Sequence, residues 1–217
     1  MKIAVLGTGS VGATIAARLI ELGHSVIIGS REKTNEKALA IVNNLGAKCS
    51  NSTFNSACSE AEVIFNCTAG KAWEQVFGSI DEKNLNNKLL LDVSNPLDFS
   101  NGMPPTLTVC NTTSVGELLQ AKFPNTHVVK TLNTMWSGLM VNPNQLNNGD
   151  HSVFMSGNSE EAKHSASSIL QSFGWKQENI INLGDITTAR GTEMYLPLWL
   201  RLYGVEKSSK INIKLVR

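Results

Sequence analysis

Residues 2–31, KIAVLGTGSVGATIAARLIELGHSVIIGSR, decide the fold. Lys2 to Leu6 is an apolar run without alternation, the pattern of a strand buried on both faces of a parallel sheet. It leads directly into Gly7-Thr8-Gly9-Ser10-Val11-Gly12, then into a stretch whose apolar side carries Ala13, Ile15, Ala16, Leu19 and Ile20 at helical spacing. A second strand follows over Ser25 to Ile28. A G-x-G-x-x-G alone is a weak signal, because glycine turns also serve purely structural ends. Here strand, fingerprint, helix and strand fall in register within about 30 residues, one βαβ unit. Each glycine then has its own role. Gly7 turns the chain off the strand, Gly9 keeps side chains away from a pyrophosphate, and Gly12 lets helix and strand pack closely. Free N–H groups and the positive end of the helix dipole bind the anion. The unit predicts dinucleotide binding.

The end of the second strand selects the dinucleotide. A fold that prefers NAD usually places Asp or Glu there to accept hydrogen bonds from the ribose hydroxyls. This chain has Gly29-Ser30-Arg31. A hydroxyl beside a planar guanidinium suits a phosphate dianion, so the expected cofactor is NADP(H). Lys33 and Lys37 lie just beyond, and either would supply a second positive charge or simply face water.

Composition bounds the rest. At 217 residues and 41% hydrophobic, the chain buries a good core as one domain, or one domain with a small lobe. Its formal net charge of +1, with no long charge run, points to neither nucleic acid nor a membrane surface. No stretch approaches the roughly 18 consecutive apolar residues of a membrane span. A strand starting at residue 2 leaves no room for a signal peptide. Cys49, Cys58, Cys67 and Cys110 have neither CxxC nor zinc spacing. Reduced thiols in a cytoplasmic protein are therefore expected, with Cys67 the best placed for chemistry. Nothing resembles an HExxH or an i, i+4 histidine pair, so no metal is expected. His151 and His164 read as surface positions, and Trp136, Trp175 and Trp199 as packing residues.

Strand and helix keep alternating after Arg31. A helix capped by Thr34 runs to about Asn44 and closes at Gly46, followed by a short strand over Ala47 to Ser50 and a brief helix over Phe54 to Glu60. Ala61 to Cys67 is the fourth strand, leading to Thr68-Ala69-Gly70 and a helix to about Phe77. Lys88 to Val93 is the fifth, ending in Ser94-Asn95-Pro96. Ser114 caps a helix to Lys122, and His127 to Leu132 is the sixth strand, followed by Asn133-Thr134-Met135-Trp136-Ser137-Gly138. Ligands of such sheets sit beyond the carboxyl ends of the strands, where these turns lie. The expected fold is α/β: a Rossmann-type, doubly wound, mainly parallel sheet with a small C-terminal α/β lobe. The boundaries are residues 1–137 for the NADP-binding domain and 138–217 for the lobe, packed on the same sheet. Within the lobe, strands are expected over Ser152 to Ser156 and Asn179 to Leu183, with a helix capped by Ser159 between them. A last helix over Thr187 to Leu202 is divided by Pro197.

Residues 2–32, the EKALA at 36–40, VIFNCTAG at 63–70, LLLDVSNP at 89–96, VVKTLNTMW at 128–136 and LGDITTARGTEMYLPLWLRLYG at 183–204 resemble the NADP oxidoreductase family that includes the coenzyme F-420-dependent NADPH reductases. The likeness covers essentially the whole chain. The same fold recurs in the cytosolic domains of membrane ferric and cupric reductases. What the resemblance implies is a cytoplasmic oxidoreductase, commonly a homodimer, that moves hydride between NADP(H) and a small-molecule acceptor. That acceptor is a deazaflavin such as coenzyme F-420, or a flavin such as FMN or FAD. Cofactor-binding residues implied by it are Gly7, Thr8, Gly9, Ser10, Val11 and Gly12, of which Thr8 to Val11 hold the pyrophosphate, with Ser30 and Arg31 on the 2'-phosphate. Lys37 takes the family's second basic position, Thr68 and Ala69 line the cofactor, and Asn133, Met135 and Ser137 lie at the nicotinamide. Thr68-Ala69-Gly70 departs from the bulky proline or tryptophan that some members place there, which leaves the acceptor's shape open.

Passage of hydride between two stacked rings requires close placement and no obligatory acid or base. No catalytic side chain is assigned. Reduction of a small carbonyl or imine would need a proton donor, for which Lys130 with Asn133 as orienter is the candidate, against an ion pair at a strand end for Lys130. A non-catalytic NADPH sensor is the third reading. Arg190 and Glu193 are expected to pair with each other at i, i+3.

Overall fold

The computed structural model describes residues 1–216. The parallel strands of the first half are β1 (Lys2–Leu6), β2 (Ser25–Ser30), β3 (Cys49–Thr53), β4 (Val63–Asn66) and β5 (Leu89–Asp92). Between them run α1 (Ser10–Glu21), α2 (Glu36–Leu45), α3 (Phe54–Glu60) and the short α4 (Trp73–Phe77). A two-stranded hairpin, β6 (Leu97–Asp98) with β7 (Thr106–Leu107), projects beyond β5. There follow α5 (Val115–Lys122), β8 (His127–Thr131), α6 (Ser137–Val141), β9 (Val153–Gly157), α7 (Glu160–Ser172), β10 (Ile180–Asn182), α8 (Ala189–Met194) and α9 (Leu196–Glu206).

Eight strands form one sheet in the order β10-β9-β8-β5-β4-β1-β2-β3. Every neighbouring pair is parallel except β8 with β9. The chain order reverses beside β1, which makes the carboxyl edge there the topological switch point where ligands of open α/β sheets bind. Apolar side chains cover both faces in two layers. One gathers Ile3, Val5, Ile15, Leu19, Phe65 and Phe173, and the other Ala4, Leu6, Phe54, Ile64, Phe77 and Leu119.

The strands expected over Ser152 to Ser156 and Asn179 to Leu183 extend this sheet beyond β8 as β9 and β10. Local boundaries shift elsewhere. Asn35, not Thr34, caps α2 by accepting the Ala38 N–H at 3.0 Å. The third strand begins two residues later than read, because Gly46, at φ +79, and the turn after it come first. Tyr195 separates α8 from α9, as expected of a proline at position 197, whose ring removes a donor near the start of α9.

His151 overturns its surface reading: it is 2% exposed. Nε2 lies 2.9 Å from the Pro143 carbonyl, Asn212 Nδ2 approaches Nδ1 at 2.7 Å, and the ring packs edge-on against Trp175. Burial lowers its pKa below the ordinary histidine value. Asn212 belongs to the C-terminal segment, which lies along β9 through the Ser152 N–H on the Ile213 carbonyl. A polar residue in an irregular stretch carries no periodicity that marks it as buried.

Candidate functional site

A cleft of about 520 Å³ opens at the carboxyl edge where β1, β2 and β4 end. Its floor is the glycine turn. Gly7 has φ +113, and a Cβ there would sit 2.7 Å from the Cys67 carbonyl oxygen, so the turn can press against the end of β4 only as glycine. A Cβ on Gly12 would lie 2.4 Å from the Gly7 carbonyl. Gly9 differs: a Cβ there would meet nothing within 4 Å. The packing of the protein itself does not require glycine at position 9.

The side chains of Asn35, Thr53, Ser114 and Ser159 each accept an N–H of the first turn of α2, α3, α5 and α7, whereas α4, α6, α8 and α9 have no side-chain cap. At α1 no side chain caps the helix and no acidic residue stands in its first turn. Its leading N–H groups and the positive end of its dipole are left for an anion.

Thr8, Gly9, Ser30, Arg31, Lys37 and Thr68 also line the cleft, and Lys33 does not. Arg31 and Lys37 are exposed, while Ser30 is 3% exposed and donates its hydroxyl to the Glu32 carbonyl at 2.7 Å. Phe54 and Val76 supply apolar wall, and Asn35 and Glu36 also line the cleft. Ala69 is exposed beside this cleft. Asn133 and Met135 in the turn after β8, and Ser137 at the start of α6, are buried and outside the cleft lining. That turn carries Leu132 at φ +63, an unusual conformation for a bulky residue. It is tied to the turn after β5 by a reciprocal pair: Asn95 Nδ2 donates to the Asn133 carbonyl at 2.8 Å, and Asn133 Nδ2 donates to Asn95 Oδ1 at 2.9 Å.

Beneath these turns lies a buried charge cluster. Lys130 Nζ is 2.6 Å from Asp92 Oδ2 and 2.6 Å from Glu193 Oε1, and donates to the Ser94 carbonyl at 2.8 Å. None of these side chains is more than 1% exposed. Burial alone would lower the Lys130 ammonium, but the two carboxylates reverse this and hold its pKa above the ordinary lysine value. Glu193 also accepts the first N–H groups of α5, from Val115 at 2.9 Å and Gly116 at 3.2 Å. Arg190, the expected partner of Glu193, instead pairs bidentately with Glu117. An i, i+3 spacing allows the local pair, but the buried ammonium has the greater need of a second carboxylate.

Cys67 lines the cleft, yet burial and the nearby Asp92 raise its thiol well above the ordinary cysteine range. It is therefore a poor nucleophile. Among the described residues, no group of three or more His, Cys, Asp or Glu is arranged to hold a metal ion, and no helix is long and apolar enough to cross a membrane.

Comparison with known proteins fits this geometry. Residues 2–96 match the family model described as NADP oxidoreductase coenzyme F420-dependent. A solved "putative f420 dependent nadp-reductase" of Arthrobacter sp. FB24 is 45% identical, with a TM-score of 0.94 and complete coverage of both chains. The chain belongs to the coenzyme F420-dependent NADP oxidoreductase family. It is also 30% identical over 205 residues to rat Metalloreductase STEAP3, covering 91% of this chain and 38% of that protein. Identity to the F420-dependent NADP reductase of Methanothermobacter marburgensis is 38% over 104 residues, 45% of this chain and 46% of that one. The chain thus spans less than half the length of these two curated relatives.

Within this family frame, sequence reasoning passed over Phe54 and Val76 as cleft wall and Glu193 as the second carboxylate of the buried cluster. Apolar residues on helices read as core. The Glu193 partners are 63 to 78 residues away, beyond any spacing rule, as its contacts with Lys130 and Val115 show. Breaking the cluster leaves two facing carboxylates buried without their cation. Lys130→Met is expected to lower the unfolding free energy by about 3 to 5 kcal/mol, read from urea transitions. A loss below about 1 kcal/mol, the range of exposed ion pairs, would show that the cluster does not hold the fold.

Proposed function

We propose that this chain transfers hydride between NADPH and a flat ring acceptor, a deazaflavin of the coenzyme F-420 type or a flavin. The starting point is an NADP-dependent oxidoreductase of the coenzyme F420-dependent family, with NADP(H) as cofactor. The observation that carries the finer reading is the state of the charged groups below the turns after β5 and β8. The Lys130 ammonium is paired with two carboxylates, Asp92 and Glu193, donates to the Ser94 carbonyl, and is fully enclosed. Reduction of a carbonyl or imine would call on a proton donor there, and the residue suited to it by type is committed. Hydride passage between two rings makes no such demand.

The chain's own residues then bind and orient. The uncapped first turn of α1 and the open backbone at Gly9 receive the pyrophosphate. Arg31 and Lys37 carry the charge that meets a 2'-phosphate, and Ser30 joins them if its hydroxyl leaves the Glu32 carbonyl. Phe54 and Val76 offer apolar wall to the adenine end. Thr68 and Ala69, with Asn133 and Met135 in the turn after β8 and Ser137 at the start of α6, border the nicotinamide end. When bound, NADPH supplies the transferable hydride, and face-to-face placement of the two rings is the protein's contribution.

Two measurements test this. Arg31→Ala should weaken NADPH by about 1.5 to 3 kcal/mol, the worth of a charge-assisted phosphate contact, and leave NADH nearly unchanged by calorimetric titration. Equal losses for both cofactors would remove Arg31 from the phosphate site. In an anaerobic assay offering coenzyme F-420, FMN and FAD separately, at least one should be reduced with NADPH preferred over NADH. NADPH that binds while none of the three is reduced would refute the ring-acceptor reading.

A further inference from the structure

The buried cluster does more than satisfy one lysine, because its hydrogen bonds continue without a gap to the cleft. Thr68 presents both its N–H and its hydroxyl to Asn66 Oδ1, at 3.2 and 2.7 Å. Asn66, fully buried at the end of β4, donates from Nδ2 to Asp92 Oδ1 at 2.8 Å. That same oxygen accepts the Ser94 N–H at 3.1 Å, and the other oxygen of Asp92 faces Lys130. Lys130 closes the circuit on the Ser94 carbonyl, so Ser94 is held through both its N–H and its C=O. One residue on, Asn95 clasps Asn133 in the turn that carries the left-handed Leu132. Three turns from three separate strands are thus fixed relative to one another by a single polar network, and these turns border the nicotinamide end of the proposed site.

We infer that Asn66, Asp92 and Lys130 are positioning residues for hydride transfer. They set the relative placement of Thr68, Asn95 and Asn133, and through them the nicotinamide ring, without touching the reacting atoms. The inference rests on the functional reading above. The division of labour along the cleft supports it. The pyrophosphate and 2'-phosphate positions are built from backbone and exposed cations outside the network, so affinity and ring placement have different structural owners.

Asn66→Ala removes the link between Thr68 and Asp92 while leaving Lys130 its two carboxylates. Two quantities are read on the full chain. One is the NADPH dissociation constant. The other is the emission of bound NADPH, whose intensity and anisotropy report how firmly the nicotinamide is held and require no acceptor. The expected result is a dissociation constant within about threefold of the parent and a loss of the bound-state emission enhancement. Single-turnover hydride transfer per NADPH-bound site should fall on the order of 10²-fold, the effect of about 1 Å of misplacement. Unchanged emission with a rate that falls only in proportion to the folded fraction would overturn the inference. So would a loss of affinity that alone accounts for the lost rate. If the parent shows the NADPH emission signature but reduces no ring acceptor, the acceptor reading fails, while the emission comparison still decides the role of Asn66.

Discussion

A lysine ammonium enclosed by protein on every side is the constraint on which much of this structure depends. Lys130 tolerates its burial only because Asp92 and Glu193 stand at 2.6 Å and the Ser94 carbonyl at 2.8 Å. Removing an ion of that size from water costs several kcal/mol, which the fold recovers only with close partners in good geometry. The second carboxylate leaves the cluster one negative charge in excess, and the first N–H groups of α5 meet it. The cluster therefore draws together the ends of β5 and β8, the start of α5 and the body of α8. These elements are scattered from residue 92 to residue 193, and the cluster fastens the C-terminal segment to the dinucleotide-binding sheet.

The carboxyl edge of that sheet is built in two styles. At the glycine turn and the end of β2 it is backbone and water-facing charge: an uncapped helix start, a glycine whose missing side chain leaves open space, and Arg31 and Lys37 exposed. The turns after β5 and β8 are buried, with a left-handed turn residue beside the amide pair of Asn95 and Asn133. Loose cations suit recognition of an exposed phosphate, which needs charge more than exact placement. A reacting ring needs the reverse.

How much of this could be read from the chain depended on the range of the interaction. The βαβ unit, strands β1 to β5 and β8, and the caps Ser114 and Ser159 were legible because each is written in neighbouring residues: apolar runs, glycines and capping side chains. Gly7, Gly9 and the Ser30-Arg31 pair were legible for the same reason, since motif and cleft coincide in one stretch. Long-range pairings were not. Periodicity along α8 suggested that Glu193 serves Arg190, while the fold gives it to a lysine 63 positions away, in β8. His151 carried no mark of burial because its enclosure comes from Trp175 and Asn212, residues of two other segments. Phe54 and Val76 are buried apolar helix residues that also line the cleft, a double role that nothing in their local sequence marks.

The central claim is that this fold brings two rings together for direct passage of hydride, with no side chain as proton donor at the reacting carbon. NADPH deuterated at the transferable position of nicotinamide C4, incubated anaerobically with oxidised coenzyme F-420, tests it most directly. Mass spectrometry of the reduced acceptor should find the deuterium carried over stoichiometrically, with none released to water. Reduced acceptor without the label, or label lost to solvent, would contradict direct transfer and require an intermediary group in the site.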